Sequence, residues 1–152
     1  MTRDLDVVLV GATGFTGTLA AEHLASAAPA GLRWAVAGRS AEKVEGLRDR
    51  LVATAPGADD LEVVVLDSHD DAAVRTLAER SRVVIAAVGP YLEHGDPLVA
   101  ACAATGTDYV DLTGEPEFVD RTWLRHHAAA VQSGARLVHA CGFDSVPHDL
   151  GA

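Results

Sequence analysis

Lysine, cysteine and long apolar runs are scarce in this sequence, and each shortage narrows what the protein can be. Lys43 is the one lysine among the twelve basic residues. No apolar stretch approaches the roughly 20 residues that a membrane-spanning helix needs, and no signal peptide precedes the first apolar run. We therefore expect a cytoplasmic protein without an integral membrane segment, with membrane association left open, in which Cys102 and Cys141 are free thiols.

Basic residues are also few relative to acidic ones. The chain carries 12 basic and 22 acidic residues, which gives a formal net charge of −10. A surface this acidic repels phosphate backbones, so we do not expect nucleic acid as a partner. An anionic ligand would need a local positive site that overrides the field of the whole protein.

Short apolar runs alternate with longer amphipathic segments along the whole chain. Several runs are apolar throughout, which is typical of strands buried on both faces of a parallel sheet. The six predicted strands are residues 7–10, 34–37, 61–66, 83–88, 109–112 and 137–140. The predicted helices are residues 16–28, 41–53 behind an N-cap at Ser40, 70–79, 97–104 and 116–132. This alternation predicts an α/β fold of the Rossmann type, a doubly wound, mostly parallel six-stranded sheet with helices on both faces.

The strongest single motif has the spacing Gly-x-x-Gly-x-x-Gly, directly after the first strand and at the start of the first helix. Gly11 permits a tight turn, Gly14 lets the backbone approach a pyrophosphate, and Gly17 lets the helix pack closely. The free N–H groups and the dipole of the helix then favour phosphate. A tight turn without a ligand is the alternative, but the motif's place in the first strand–helix unit favours dinucleotide binding. The predicted pyrophosphate contacts are Gly11, Thr13, Gly14, Phe15, Thr16 and Gly17.

The end of the second strand indicates which dinucleotide is bound. NAD-specific domains usually place an Asp or Glu there, where it accepts hydrogen bonds from the ribose. This chain reads Ala37-Gly38-Arg39-Ser40 and has no carboxylate at that point. Arg39 can clamp a 2′-phosphate through its planar fork, and Ser40 can add a donor. The pattern predicts NADP as the cofactor, with a plain surface role for Arg39 as the alternative.

The next two strands end in further candidate cofactor contacts. Asp67, at the end of the third strand, either accepts a hydrogen bond from the adenine amine or caps the following helix, and both readings stay open. Val88, Gly89 and Pro90 follow the fourth strand, where small residues let the backbone pass close to the ribose and nicotinamide.

Together these motifs resemble the N-terminal NADP-binding domain of the saccharopine dehydrogenase-like oxidoreductases, and within them the actinobacterial branch that includes the trans-acting enoyl reductases of lipid biosynthesis. The matching segments are residues 11–17, 37–40, 88–91, 109–115 and 141–151, in the family's order. One departure is His148, where a small residue such as Ser is expected. The resemblance implies a two-domain enzyme in which residues 1–152 form the NAD(P)-binding domain. A substrate domain is expected downstream, and homo-oligomerisation through it stays open.

Other side chains carry weaker signals. A Tyr-x-x-x-Lys pair, in which the lysine lowers the pKa of the tyrosine for proton transfer, is excluded because neither Tyr91 nor Tyr109 has a lysine four residues on. Tyr91, Glu115 and Asp144 follow strands four to six, and each either faces the ligand crevice or anchors a loop. We assign the seven histidines structural or surface roles and predict no metal site, although His94 lies near the expected nicotinamide pocket.

These observations predict an NADP(H)-dependent oxidoreductase in which hydride moves between the nicotinamide and a carbonyl, imine or activated double bond. The resemblance implies enoyl reduction on a lipid or polyketide intermediate, offered as a small-molecule or carrier-bound substrate. The sequence does not identify the catalytic residues, and we expect the isolated domain to turn over little substrate. The alternative is a non-catalytic NADP-binding sensor or regulator.

Overall fold

The computed structural model describes residues 3–55, 58 and 60–152, and it contains one sheet flanked by helices. The strands are β1 (Leu5–Val10), β2 (Trp34–Gly38), β3 (Glu62–Val65), β4 (Ser81–Ala86), β5 (Asp108–Asp111) and β6 (Leu137–Val138). The helices are α1 (Phe15–Ala27), α2 (Ala41–Thr54), α3 (Asp71–Arg80), α4 (Tyr91–His94), α5 (Asp96–Thr105), α6 (Pro116–Ser133) and α7 (Val146–Leu150).

All six strands run parallel, in the order β3-β2-β1-β4-β5-β6. In the register of the central strands, Val8 of β1 lies between Ala35 of β2 and Val84 of β4. The order reverses between β1 and β4, and ligands of doubly wound sheets bind at the carboxyl ends of the strands on either side of such a reversal. The predicted Rossmann-type fold is confirmed, and the sheet is parallel throughout.

The core is divided into two layers by the sheet. On one face Leu9 and Trp34 pack with the inner sides of α1 and α2, including Leu47 of α2. On the other face Val8 packs with α3, α5 and α6, where Phe118 is fully buried. Adjacent strand residues supply opposite faces, so the continuously apolar runs follow from burial on both sides.

Every predicted strand and helix is present, with its boundaries within two residues of the prediction. The strand β4 begins at Ser81, directly after α3, and ends at Ala86, so Ala87 and Val88 leave the sheet earlier than expected. The strand β6 stops at Val138, and Ala140 has a positive φ of 57° that an extended strand does not allow. The helix α4 is a short element that the sequence pattern did not predict.

None of the helices in the described part of the chain has the length and apolar character required to cross a membrane.

Candidate functional site

The glycine motif forms the turn between β1 and α1. Gly11 has a φ of +83°, and a Cβ added there would lie 2.4 Å from the carbonyl oxygen of Ala87. A Cβ on Gly17 would lie 2.1 Å from the carbonyl oxygen of Gly11. Neither position has room for a side chain, so the predicted roles of Gly11 in the turn and of Gly17 in close packing are confirmed.

The first turn of α1 leaves backbone donors without partners among the described residues. The helix begins after Gly14, which offers no side-chain cap, and its first turn contains no acidic residue. Within the described residues, no acceptor meets the backbone N–H groups of Thr13, Phe15, Thr16 and Gly17. Such donors, together with the positive end of the helix dipole, form a site for an anion at the carboxyl edge of the sheet.

A cavity of about 260 Å³ lies beside this turn at the point where the strand order reverses. Its walls come from β1, the glycine turn, and the segments that follow β2, β3 and β4. The lining residues are Val10, Gly11, Thr13, Gly14, Gly38, Arg39, Leu66, Ser68, Ala87, Val88, Gly89 and His94. No carboxylate is among these residues, although the chain carries a net charge of −10. The cavity therefore provides the local environment that an anionic ligand of an acidic protein requires.

Arg39 borders this cavity at the end of β2. Its side chain is exposed, and it makes no hydrogen bond or ion pair with any described residue. Ser40 is already engaged, because its Oγ accepts a hydrogen bond from the N–H of Lys43 at 3.4 Å and caps α2. Lys43 lies in a neighbouring cavity with Arg50. Among the described residues that line the main cavity, Arg39 is thus the cation that remains available to a ligand.

Six of the predicted cofactor contacts lie outside the lining of this cavity, namely Phe15, Thr16, Gly17, Ser40, Asp67 and Pro90. Phe15 is 86% exposed at the start of α1, and Thr16 borders a second cavity. Gly17 is buried beneath the turn. Pro90, joined to Gly89 by a cis peptide bond, is exposed and precedes α4. Their contact with a cofactor stays a prediction, as do the contacts of the lining residues.

Asp67 also lies outside the cavity lining. Its side chain is exposed, and Oδ1 accepts a hydrogen bond from the N–H of His69 at 3.0 Å. The cap of α3 is Asp70, whose Oδ1 accepts from the N–H groups of Ala72 and Ala73. Asp67 therefore closes the turn before the helix, which rules out its alternative role as the helix cap, and a contact with adenine stays a prediction.

Tyr91 and Glu115 anchor the segment that follows β4. The carboxylate of Glu115 accepts hydrogen bonds from the backbone N–H groups of Tyr91, at 2.7 Å, and Leu92, at 2.9 Å. The Tyr91 hydroxyl donates to the carbonyl oxygen of Ala86 at 2.9 Å, and burial raises the pKa of that hydroxyl to about 12. Of the two alternatives that the sequence allowed for these residues, the geometry shows loop anchoring, and a contact with a ligand in the crevice stays a prediction.

A second cavity of about 450 Å³ lies on the β5–β6 side of the glycine turn, bordered by Thr16, Leu112, Cys141 and Asp144 among others. Asp144 is exposed there. Burial and the nearby Asp111 carboxylate raise the pKa of the Cys141 thiol, so this thiol is not activated as a nucleophile. Cys102 is fully buried in α5, and both cysteines are free thiols, as expected.

The described histidines take the structural and surface positions that the sequence predicted, with one exception at the main cavity. His126 lies 3.3 Å from Asp96, while His127 stacks on Trp123 on another face of α6. His94 lines the main cavity, where Nδ1 lies 2.9 Å from Nε2 of His69. No group of three or more metal-binding side chains occurs among the residues that the structure describes.

Sequence reasoning missed several lining residues of the main cavity. Leu66 and Ser68 follow β3 directly, so a wider window after that strand would have included them. His94 was noted in the sequence as lying near the expected nicotinamide pocket, and it does line the main cavity. Its contact with His69 joins residues 25 positions apart, and no local pattern contains that information.

Comparison with protein families gives a match to the saccharopine dehydrogenase NADP-binding domain over residues 7–138. Trans-acting enoyl reductases of Mycobacterium leprae and Mycobacterium tuberculosis are 49% and 47% identical to the chain, over 97% of it. The chain covers 34% of each of these proteins, so it spans about a third of the length of the curated relatives it matches.

Solved structures share the same fold at lower sequence identity. The apo saccharopine dehydrogenase (L-Glu forming) of Saccharomyces cerevisiae superposes with a TM-score of 0.73 at 23% identity, over 93% of this chain and 28% of that one. The leucoanthocyanidin reductase of Vitis vinifera, in its binary complex with NADPH, gives a TM-score of 0.59 at 18% identity, over 88% of this chain and 48% of that one. These similarities support the Rossmann-type fold.

Proposed function

This chain belongs to the saccharopine dehydrogenase NADP-binding domain family, and we propose that NADP(H) binds in the cavity beside residues 11–17. The cofactor of the family fits the residues that are present. The glycine turn admits no side chains at Gly11 and Gly17, and the donors at the start of α1 have no partner in the part of the chain that the structure describes. We infer that the pyrophosphate lies against these N–H groups.

Arg39 carries the proposal for the 2′-phosphate. It borders the same cavity as the glycine turn, and no carboxylate lines that cavity. Its guanidinium has no partner among the described residues. A planar fork can meet two phosphate oxygens at once, whereas NAD lacks the phosphate that would use it. A preference for NADPH over NADH follows.

We further propose that the chain is the cofactor-binding part of an enoyl reductase. Its mycobacterial relatives, at 47–49% identity, are trans-acting enoyl reductases. When bound, NADPH would supply hydride to an activated double bond of a lipid or polyketide intermediate. The residues of this chain would bind and orient the cofactor, while a substrate domain, which the length of the relatives suggests, would complete the substrate site. Val88 and Gly89 border the cavity where the ribose and nicotinamide would pass.

The test is a paired titration of NADPH and NADH, followed by nicotinamide fluorescence, on the wild-type chain and on Arg39→Ala. We expect NADPH to bind more tightly than NADH, and Arg39→Ala to weaken NADPH by roughly tenfold to a hundredfold, since hydrogen bonds to a charged group contribute about 1.5–3 kcal/mol. NADH affinity should change little, because NADH offers Arg39 no phosphate.

Arg75→Ala is the matched control, because Arg75 is an exposed arginine that pairs with Glu79 on α3. It should leave both affinities unchanged. Equal affinities of the wild type for NADPH and NADH would remove Arg39 as a phosphate clamp. Absence of binding to either ligand would contradict the assignment of the cavity.

The alternative function, a non-catalytic sensor, would use the same cofactor site. Only a measurement of turnover distinguishes it from the enzyme. The buried, hydrogen-bonded Tyr91 offers no ready proton donor, which is the observation that favours a sensor. NADPH oxidation by the chain with an added enoyl thioester would favour the enzyme. Binding without oxidation, also in a longer protein that includes a substrate domain, would favour the sensor.

A further inference from the structure

Two imidazole rings meet at one rim of the main cavity. Nε2 of His69 lies 2.9 Å from Nδ1 of His94, and the ring planes stand at 78° with their centroids 5.1 Å apart. His69 follows β3 and His94 ends α4, so this hydrogen bond joins two segments that come from different strands. His94 lines the cavity, and its side chain is 32% exposed.

The topology of the sheet identifies which end of the cavity the pair occupies. Strand β3 lies beside β2, and the N–H of Leu66 donates to the carbonyl oxygen of Gly38 at 3.0 Å. The segment after β3 therefore lies next to Arg39, the candidate ligand of the 2′-phosphate. Since that phosphate is carried by the adenosine half of NADP, the His69–His94 pair lies at the adenosine end, and not near the nicotinamide as the sequence predicted for His94.

Resting on the proposed NADP site, we propose that His94 is the surface on which the adenine ring stacks, and that His69 positions it. A flat aromatic side chain at a cavity wall is suited to the face of a purine. The hydrogen bond between Nε2 of His69 and Nδ1 of His94 fixes the His94 ring, which lies at the end of a helix of four residues. Ser68 supports the assignment, because it is a buried residue in the same lining whose hydroxyl makes no hydrogen bond with the described residues. That hydroxyl is available to the polar edge of a base.

His94 and His69 have different tasks in this arrangement. His94 touches the cofactor, whereas His69 is a positioning residue that acts through His94. Loss of His69 should therefore have no effect of its own once His94 is absent. Asp67, which contacts the N–H of His69 and lies outside the lining, represents the competing assignment of the adenine contact.

The experiment measures the affinities of two probes, NADPH and 2′,5′-ADP, for the wild-type chain and for His94→Ala, His94→Phe, His69→Ala and the double alanine variant. The probe 2′,5′-ADP contains the adenosine and both of its phosphates but no nicotinamide. We expect His94→Ala to lower the affinity for both probes by the same factor, about fivefold or more, as alanine substitution does at other base–aromatic contacts. His94→Phe should bind both probes within about twofold of wild type. His69→Ala should lose less affinity for the two probes than His94→Ala does. The affinities of the double variant should equal those of His94→Ala.

Two controls accompany these variants. His23→Ala removes an exposed histidine on α1 outside the cavity and should bind like wild type. Asp67→Ala tests the competing contact; since Asp67 reaches the histidine pair only through the N–H of His69, this variant should lose no more affinity for either probe than His69→Ala does. Near-ultraviolet circular dichroism of each variant verifies the fold, and His94→Phe keeps a ring in place if the alanine variant folds poorly.

Several results would overturn the inference. His94→Ala could bind both probes as the wild type does, or lose NADPH affinity while 2′,5′-ADP affinity stays unchanged. A loss in Asp67→Ala with none in His94→Ala would transfer the adenine contact to Asp67. These outcomes differ from failure of the proposed function, in which the wild-type chain binds neither probe and both proposals fall.

Discussion

Nδ1 of His139 and Oδ2 of Asp111 lie 2.7 Å apart and join the end of β5 to the segment after β6. The side chain of Asp111 is fully buried, and its other oxygen accepts hydrogen bonds from the N–H groups of Thr113 and Ala140. Nε2 of His139 lies 2.9 Å from Oγ1 of Thr122 on α6. The Asp111 carboxylate thus connects β5 to the segment that borders the second cavity, and His139 extends this connection to α6.

Asp111→Ala should therefore destabilise the protein by about 3 kcal/mol or more. The reason is that the N–H groups of Thr113 and Ala140 and Nδ1 of His139 would lose the buried carboxylate as their partner. The free energy of unfolding in urea measures this effect. Asp108→Ala is the matched control on the same strand, because Asp108 pairs with Arg136, whose side chain is 79% exposed. That pair lies at the surface, where the expected loss is about 1 kcal/mol or less. Equal losses in the two variants would contradict the structural role of Asp111.

Glu115 should behave as an anchor of α4. Its carboxylate accepts two backbone hydrogen bonds at the start of that helix, from Tyr91 and Leu92. We expect Glu115→Ala to lower the free energy of unfolding by about 2 kcal/mol, and Glu115→Gln to lose less because an amide oxygen can still accept one bond. Glu117→Ala, two residues on and exposed, is the control and should change stability little. A loss in Glu115→Ala no larger than in Glu117→Ala would contradict the anchoring role.

Two glycines in helices should respond in opposite directions to alanine. A Cβ on Gly17 would lie 2.1 Å from the carbonyl oxygen of Gly11, whereas a Cβ on Gly46 of α2 meets nothing within 4 Å. Gly17→Ala should lower the free energy of unfolding by about 2 kcal/mol or more and weaken NADPH binding, because the turn must shift. Gly46→Ala should raise the free energy of unfolding by about 0.5–1 kcal/mol, since alanine loses less backbone entropy than glycine when a helix forms.

Thermal and urea denaturation of the two variants, with an NADPH titration, are the measurements. A Gly17→Ala variant as stable as Gly46→Ala would show that the turn tolerates a side chain at that position. Unchanged NADPH affinity in Gly17→Ala would separate the geometry of the turn from cofactor binding.

The features that the sequence predicted well are local ones. All five residues of β2 are buried, and a continuous apolar run that ends at glycine carries that information by itself. The glycine turn was predictable because Gly11 has a positive φ of +83°, which favours glycine, and because a Cβ on Gly17 would meet Gly11 and Ala12 of the motif itself. Burial and turn geometry can therefore be predicted from the residue types and their local pattern.

The features that the sequence did not predict depend on contacts between distant segments. The helix α4 has four residues and is anchored by Glu115, 24 positions beyond Tyr91. The pair His69–His94 spans 25 positions, and Asp111–His139 spans 28. Whether such side chains meet is decided by how the crossover helices set neighbouring strand ends beside each other. The sequence pattern places these residues at the correct edge of the sheet without pairing them.

The buried thiol of Cys102 should make the free energy of unfolding depend on pH in the alkaline range. Its side chain is inaccessible in α5, and burial raises its pKa from the ordinary 9.0 to about 12. The folded chain therefore keeps a proton that the unfolded chain releases above pH 9, so this thiol lowers the free energy of unfolding progressively between about pH 9 and 12. The contribution to the slope approaches about 1.4 kcal/mol per pH unit for one proton.

Cys102→Ala removes this group, and its stability should fall less steeply with pH over that window than that of the wild type. The buried tyrosines Tyr91 and Tyr109, whose pKa values are also raised by burial, are present in both proteins and cancel in the comparison. Urea denaturation at a series of pH values from 8 to 11 gives the two slopes. Cys141→Ala, at an exposed thiol with a smaller shift, should stay closer to the wild-type curve. Parallel curves for wild type and Cys102→Ala would mean that the buried thiol ionises as readily in the folded chain as in the unfolded one.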